Sequence, residues 1–171
     1  MQSLGTRLAR GDEAAFAELY DGTADRLFRF LAVRLGSSES AADVLQATFL
    51  RAVEKKRHFA KVDAPAAYLF RIAANEAARS IAAKRRSKFE PASLEMIAAT
   101  DSSLEQEDAE IIASALARLE DRDRELVELK VYAGLTFREI AESLEMPPGT
   151  VATRYRRAIE FLRPWMTRQF Q

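Results

Sequence analysis

Apolar residues recur at intervals of three and four along most of the chain, and no stretch alternates apolar and polar residues as a half-buried strand would. The pattern predicts an all-α protein made of two small helical domains joined by an acidic flexible linker. Over residues 12–35, Phe16, Leu19, Tyr20, Leu27, Phe30, Leu31 and Leu35 form a helical stripe. An interruption is expected at Asp21-Gly22, because glycine is a weak helix former. Gly36-Ser37-Ser38 ends the stripe. A second helix, from about Glu39 to Arg57, places Ala42, Leu45, Phe49, Ala52 and Val53 inward and Asp43, Gln46 and Glu54 outward. A third is expected to be capped by Asp63, with Pro65 tolerated in its first turn, and to reach Arg86. Its inward set is Leu69, Ala73, Ala77 and Ile81, while Arg71, Asn75, Arg79 and Arg86 fall on the opposite side.

From Ser87 to Leu104 the periodicity lapses, and serine, threonine, proline and acids accumulate around one short turn expected near Leu94 to Ile97. Fully extended, these 18 residues span about 60 Å, so the two ends need not touch. The domain division that follows is 1–86, linker 87–104, and 105–171. Helix resumes near Glu105 and runs to about Arg118. Another starts at Asp121 and buries Leu126, Leu129 and Val131 or Tyr132.

The last part of the chain holds the most specific pattern. Thr136 followed three residues later by Glu139 is a capping box, which starts a helix at about Phe137 with Ile140, Ala141 and Leu144 inward. Met146-Pro147-Pro148 halts it, because proline disfavours helical geometry in the residue before it. The next helix begins near Pro148 or Gly149 and buries Val151, Tyr155, Ile159 and Leu162. Thr150, Thr153, Arg154, Arg156 and Arg157 stay largely outside. Such a helix-turn-helix braces its second helix so that N-terminal side chains reach base edges in a major groove. Arginine suits the task, since its planar fork pairs with guanine or clamps phosphates. The plainer reading is a solvated basic face on an ordinary helical hairpin.

Charge and composition narrow the function. The chain has 26 basic and 26 acidic residues, unusual for a protein that grips DNA alone. Residues 1–86 hold 15 basic against 10 acidic, 87–110 hold 1 against 7, and 111–171 hold 10 against 9. There is no cysteine and one histidine, His58, expected to be partly exposed at a helix end. No acid or histidine cluster stands at ligand spacing, so catalysis, a metal site and a cofactor are not expected. No apolar run or N-terminal hydrophobic segment suggests a membrane span or signal peptide, which points to a soluble, cytoplasmic protein. Asn75 is the odd member of its stripe. A poor helix former placed mid-helix beside arginines suggests a hydrogen-bonding task such as a base edge.

The order of these segments resembles the extracytoplasmic-function sigma factors, the smallest sigma-70-like subunits of bacterial RNA polymerase. AFAELYDGTADRLFRFL, DVLQATFLRA and AYLFRIAANEA are similar to the family's helices for polymerase binding, strand opening and reading of the promoter −10 element. LEDRDRELVELKVYAGLTFREIAESLEMPPGTVATRYRRAIEFLR is similar to its −35-reading domain. The resemblance implies core RNA polymerase and promoter DNA as partners, with an anti-sigma factor as an optional third. It implies that Asp43 and Gln46 dock on the polymerase clamp and that Phe59, Lys61 and Asp63 sit where a flipped base is captured. Arg71, Asn75 and Arg79 would line the −10 strand; Thr150, Thr153, Arg154 and Arg157, with Arg156 beside them, would face the −35 duplex. The chain departs from the family pattern at Ala47, Val53, Tyr68, Glu120 and Ala152. Two other functions fit parts of the sequence. One is a stand-alone helix-turn-helix regulator that dimerises through Phe161, Trp165, Met166 and Phe170; the other is a sigma-like decoy that titrates an anti-sigma factor.

Overall fold

The computed structural model describes residues 2–87 and 103–169, the side chains of 103–107 and 109 apart. Among them are eight α-helices, one 3-10 turn and no strand. The turn expected near Leu94 to Ile97 lies outside the described residues, as does Phe170.

Helix α1 (Leu4–Arg10) lies ahead of every expected element. The Ser3 hydroxyl accepts from the Thr6 amide at its start, and Gly11 closes it in the left-handed region at φ 81°. It packs on the 3-10 turn Lys56–Lys61, at a distance only glycine permits. A Cβ on Gly5 would come within 2.5 Å of the Phe59 carbonyl oxygen.

Helix α2 (Glu13–Leu35) runs unbroken through Asp21-Gly22, where an interruption was expected. A glycine costs a helix about 1 kcal/mol relative to alanine. Burial of Leu19, Leu27, Phe30 and Leu31 on both sides of it outweighs that penalty. In α3 (Ser38–Glu54) the buried face is turned by about one residue from the expected one. Ala41, Val44, Thr48 and Ala52 are buried, Leu45 and Phe49 flank them half-buried, and Ala42 and Val53 are exposed. The small residues let α3 approach its neighbours closely. Bulky Phe49 instead meets Tyr20 near the surface, with ring centroids 4.9 Å apart. Helix α4 (Pro65–Arg86) has Ala64 at its N-cap with no side-chain cap, so Asp63 stands one residue early and does not cap it. Leu69, Phe70, Ala73 and Ala77 are buried and Ile81 is half-buried.

The remaining helices are α5 (Ser103–Leu116), α6 (Asp121–Val131), α7 (Phe137–Leu144) and α8 (Pro148–Gln169). Val131 is exposed, and Tyr132, the other candidate, is the half-buried one that packs inward. A small core of Ala115, Leu116, Val127, Ala158 and Leu162 joins α5, α6 and α8. Trp165 and Met166 pack against it, so they fold back on their own half rather than forming a separate dimerisation face. The larger core is continuous across both halves, running from Leu27, Phe30 and Phe70 to Leu126, Leu129, Leu135, Ile140 and Val151. The two ends, which the linker length alone leaves free to separate, are in contact: α4 lies against α7, and α2 against α6.

Candidate nucleic-acid interface

The helix-turn-helix is built as its capping signal foretells. The Thr136 amide donates to Glu139 Oε2 at 2.7 Å and the Glu139 amide donates to Thr136 Oγ1 at 3.2 Å, satisfying two otherwise orphan donors. Helix α7 stops before the prolines: Glu145 takes the left-handed conformation at φ 54°, and its amide reaches back to the Ala141 and Glu142 carbonyls. Val151 is buried and Tyr155 packs on Phe137 at 5.3 Å, which fixes α8 against α7. Pro147, Pro148, Gly149, Thr150 and Thr153 are all exposed, so the N-terminal turn of α8 opens to solvent. Thr153 Oγ1 also donates to the Gly149 carbonyl at 2.9 Å.

Arg156 and Arg157 are exposed on the same helix, whereas Arg154 is only half-exposed and already engaged. Its Nε donates to Asp123 Oδ1 at 2.6 Å, and its Nη2 lies 3.9 Å from Glu120 Oε2. It ties α8 to the start of α6. Arg154 therefore acts first as a brace.

In the other half, Asp43 and Gln46 project from the exposed face of α3 as expected. Lys61 and Asp63 are exposed beside α4. Phe59 is not: it is wholly buried, edge-on to Phe16 at 6.2 Å and to Tyr68 at 5.1 Å. Expected at a base-capturing surface, it is instead the core residue that anchors the 3-10 turn. His58 is exposed on that turn and stacks on Tyr68, with centroids 6.3 Å apart. Asn75 and Arg79 are exposed on α4, and Arg79 donates to Glu76 Oε1 at 2.8 Å. Arg71, one turn before Asn75, pairs with Glu145 from the turn of the helix-turn-helix.

Arg71 and Asn75 thus line a cleft of about 210 Å³ between α4 and the α6–α7 pair, shared with Arg122, Glu125, Ser143 and Met146. Burial holds the Glu125 carboxyl above its ordinary range, against a smaller opposing pull from Arg34. Behind the cleft Glu128 is fully buried. It accepts from Arg124 Nε at 2.7 Å on its own helix and from Arg34 Nη1 of α2 at 3.3 Å. Arg26 Nη1 donates across the same boundary to the Ala133 carbonyl at 3.1 Å. Sequence reasoning missed this set. A lone acid between Val127 and Leu129 reads as an ordinary helix residue until Arg34, 94 positions earlier, is known to face it.

Among the described residues no three histidine, cysteine or carboxylate side chains converge as a metal site. No described helix is long and apolar enough to cross a membrane.

The Sigma-70 region 2 model matches residues 19–87, and the Sigma-70, region 4 model matches residues 109–162. The first match takes in α3 and α4, and the second takes in the helix-turn-helix. Curated relatives resemble both halves in one chain. The ECF RNA polymerase sigma factor SigK of Mycobacterium ulcerans (strain Agy99) is 26% identical, the match covering 95% of this chain and 91% of that one. The ECF RNA polymerase sigma factor SigW of Bacillus subtilis (strain 168) is 28% identical, over 92% and 91%. Among solved structures, CnrH in complex with the cytosolic domain of CnrY has a TM-score of 0.72 at 23% identity, over 96% of this chain and 95% of that one. The sigma factor RpoE, in complex with the anti-sigma factor NepR from Bartonella quintana, has a TM-score of 0.63 at 20% identity, over 91% and 96%. These two likenesses show the shared fold. The chain belongs to the sigma-70 family, in its extracytoplasmic-function branch, and is an RNA polymerase sigma factor.

Proposed function

We propose that this sigma factor, a non-enzymatic subunit acting in the cytoplasm, divides promoter reading between its two halves, taken as residues 1–86 and 105–171 around a linker. The exposed face of α3 with Asp43 and Gln46 docks on core polymerase. Lys61, Asp63, Arg71, Asn75 and Arg79 follow the separated −10 strand, while Thr150, Thr153, Arg156 and Arg157 face the −35 duplex. Arg154 supports that helix and Phe59 supports the −10 loop, each without touching DNA in the first instance. A cytosolic anti-sigma partner fits the same surfaces, as in the RpoE complex with NepR. The observation that carries the reading is that the two family matches fall, in order, on the two elements whose exposed polar faces are suited to DNA.

Run-off transcription with core polymerase and a promoter selected from a genomic library tests the whole. Asn75→Ala should leave duplex retention nearly intact and slow strand opening, because a base edge is available to Asn75 only outside the stack. Permanganate reactivity of unpaired thymines separates the two steps. Arg157→Ala should instead weaken the first encounter. If both variants weaken initial binding equally and leave opening unchanged, the assignment of α4 to the single strand is wrong.

A further inference from the structure

The contact between the halves sets a problem that the promoter itself poses. Elements named for positions −35 and −10 are centred about 25 base pairs apart, roughly 85 Å of B-form duplex at 3.4 Å per pair. A compact chain of this length has a radius of gyration of only about 16 Å, so one shared core cannot serve both elements at once. Residues 88–102, 15 in number, could span about 50 Å if extended, enough for the halves to part.

What the closed form covers is specific. Glu145, in the turn of the helix-turn-helix, pairs with Arg71 on the face of α4 assigned above to the −10 strand. Glu125 and Met146 roof the same cleft beside Asn75. A carboxylate thus meets an arginine that would otherwise meet a phosphate, and a second acid lies beside it. The boundary is also of a kind that opens readily. Parting the halves returns Arg34 and Glu128 to water, and rehydration of a buried ion pair offsets much of the attraction lost. Ser143 Oγ, buried in that cleft, has no protein partner, so the closed packing leaves one polar group unsatisfied.

We propose that the free sigma factor is self-masked: α6 and α7 dock on α4 as an intramolecular competitor of the promoter strand, with Glu145 in the place of a phosphate, and must undock before the −10 element is read. The inference rests on the assignment of α4 to that strand. Arg26 is the handle that tests it, since it bridges the halves through the Ala133 carbonyl and has no part in the proposed promoter surface. Removing a cation ordinarily weakens binding to nucleic acid. Self-masking requires the reverse.

The chain has no cysteine, so single cysteines at the exposed positions Ala42 and Glu160 accept spin labels that report the separation of the halves in the full-length protein. Wild type should give one short, narrow distance distribution, and Arg26→Ala and Glu145→Gln should each add a long, broad component. Affinity for a short fluorescein-labelled oligothymidylate should then rise about fivefold in Arg26→Ala, the factor expected from loss of one bridging hydrogen bond in a mostly closed population. An unchanged distance distribution in both variants, or opening with no gain in strand affinity, overturns self-masking. Failure of the underlying sigma assignment shows separately, as absence of a run-off transcript from wild type with core polymerase.

Discussion

At the scale of single residues, ion pairing divides the arginines of α8 into two kinds. Arg154 is held by Asp123 across the α6–α8 contact, and Arg157 projects into solvent without an ion pair among the described residues. Arg154→Ala should cost about 1 kcal/mol of stability, the usual worth of a partly screened charge-assisted bond. Arg157→Ala should stay within about 0.5 kcal/mol of wild type, as exposed substitutions do. Urea denaturation of the two variants checks both values. A second residue-scale test concerns Glu125, whose carboxyl burial pushes up. A folded-state value above the unfolded one means that this group favours folding most below the ordinary carboxylate value of 4.5 and loses that contribution as pH rises through the raised value. Glu125→Gln removes the penalty of a buried charge. It should melt higher than wild type at neutral pH, with the gap closing as pH falls toward 4.5. A gap that widens on acidification would mean that attraction to Arg34, not burial, governs this carboxyl.

At the scale of elements, α1 shows where a short helix takes its stability from. Seven residues are too few to hold a helix in water, so α1 depends on its cap at Ser3 and on its seat against the 56–61 turn. Gly5→Ala drives a methyl group into the Phe59 carbonyl and should cost about 1 to 3 kcal/mol, the range for overpacking a tight contact. Thermal melts of the full chain give the value, and a neutral result would mean that α1 shifts at no cost. No pattern over Leu4–Arg10 announces this helix, because one buried leucine, Leu8, makes no stripe. The long helices were legible for the opposite reason. Several turns of spaced apolar residues identify α2 and α4 even where a glycine or an uncapped start intervenes. The capping box of α7 was legible to the atom, since both of its bonds are local. The inward face of α3 was misjudged because its contacts are set by what packs beside it: Ala41 and Thr48 suit a close approach better than Leu45 and Phe49 do. The same holds in the site. Exposure of Asp43, Gln46 and Thr150 follows from helical phase, whereas burial of Phe59 and the engagement of Arg71 and Arg154 depend on partners distant in sequence.

For the molecule as a whole, the balance of charge limits how it holds DNA. Equal numbers of acidic and basic residues leave no general attraction for phosphate, and several candidate cations already have acidic partners, among them Arg71, Arg79 and Arg154. Arg156 and Arg157 remain on the exposed side of α8. Each phosphate neutralised contributes about −0.9 to the slope of log affinity against log salt, so two or three contacts give the free protein a slope of about −2 to −3 on duplex. Arg157→Ala should reduce that slope by about 1 if the side chain meets a phosphate. If it reads a base, the loss should instead amount to about 1 to 3 kcal/mol on the cognate sequence and much less on a scrambled one. Fluorescence anisotropy over a salt series, with both duplexes, distinguishes these outcomes. A shallow slope also explains why the two halves need the polymerase. Each surface is weak alone, and holding both at the promoter's spacing turns the second contact into an intramolecular one without any new bond. Tight, sequence-specific duplex binding by the isolated protein at physiological salt, with a slope of about −6 or steeper, would require a basic surface wider than α8 presents and would contradict this division of labour.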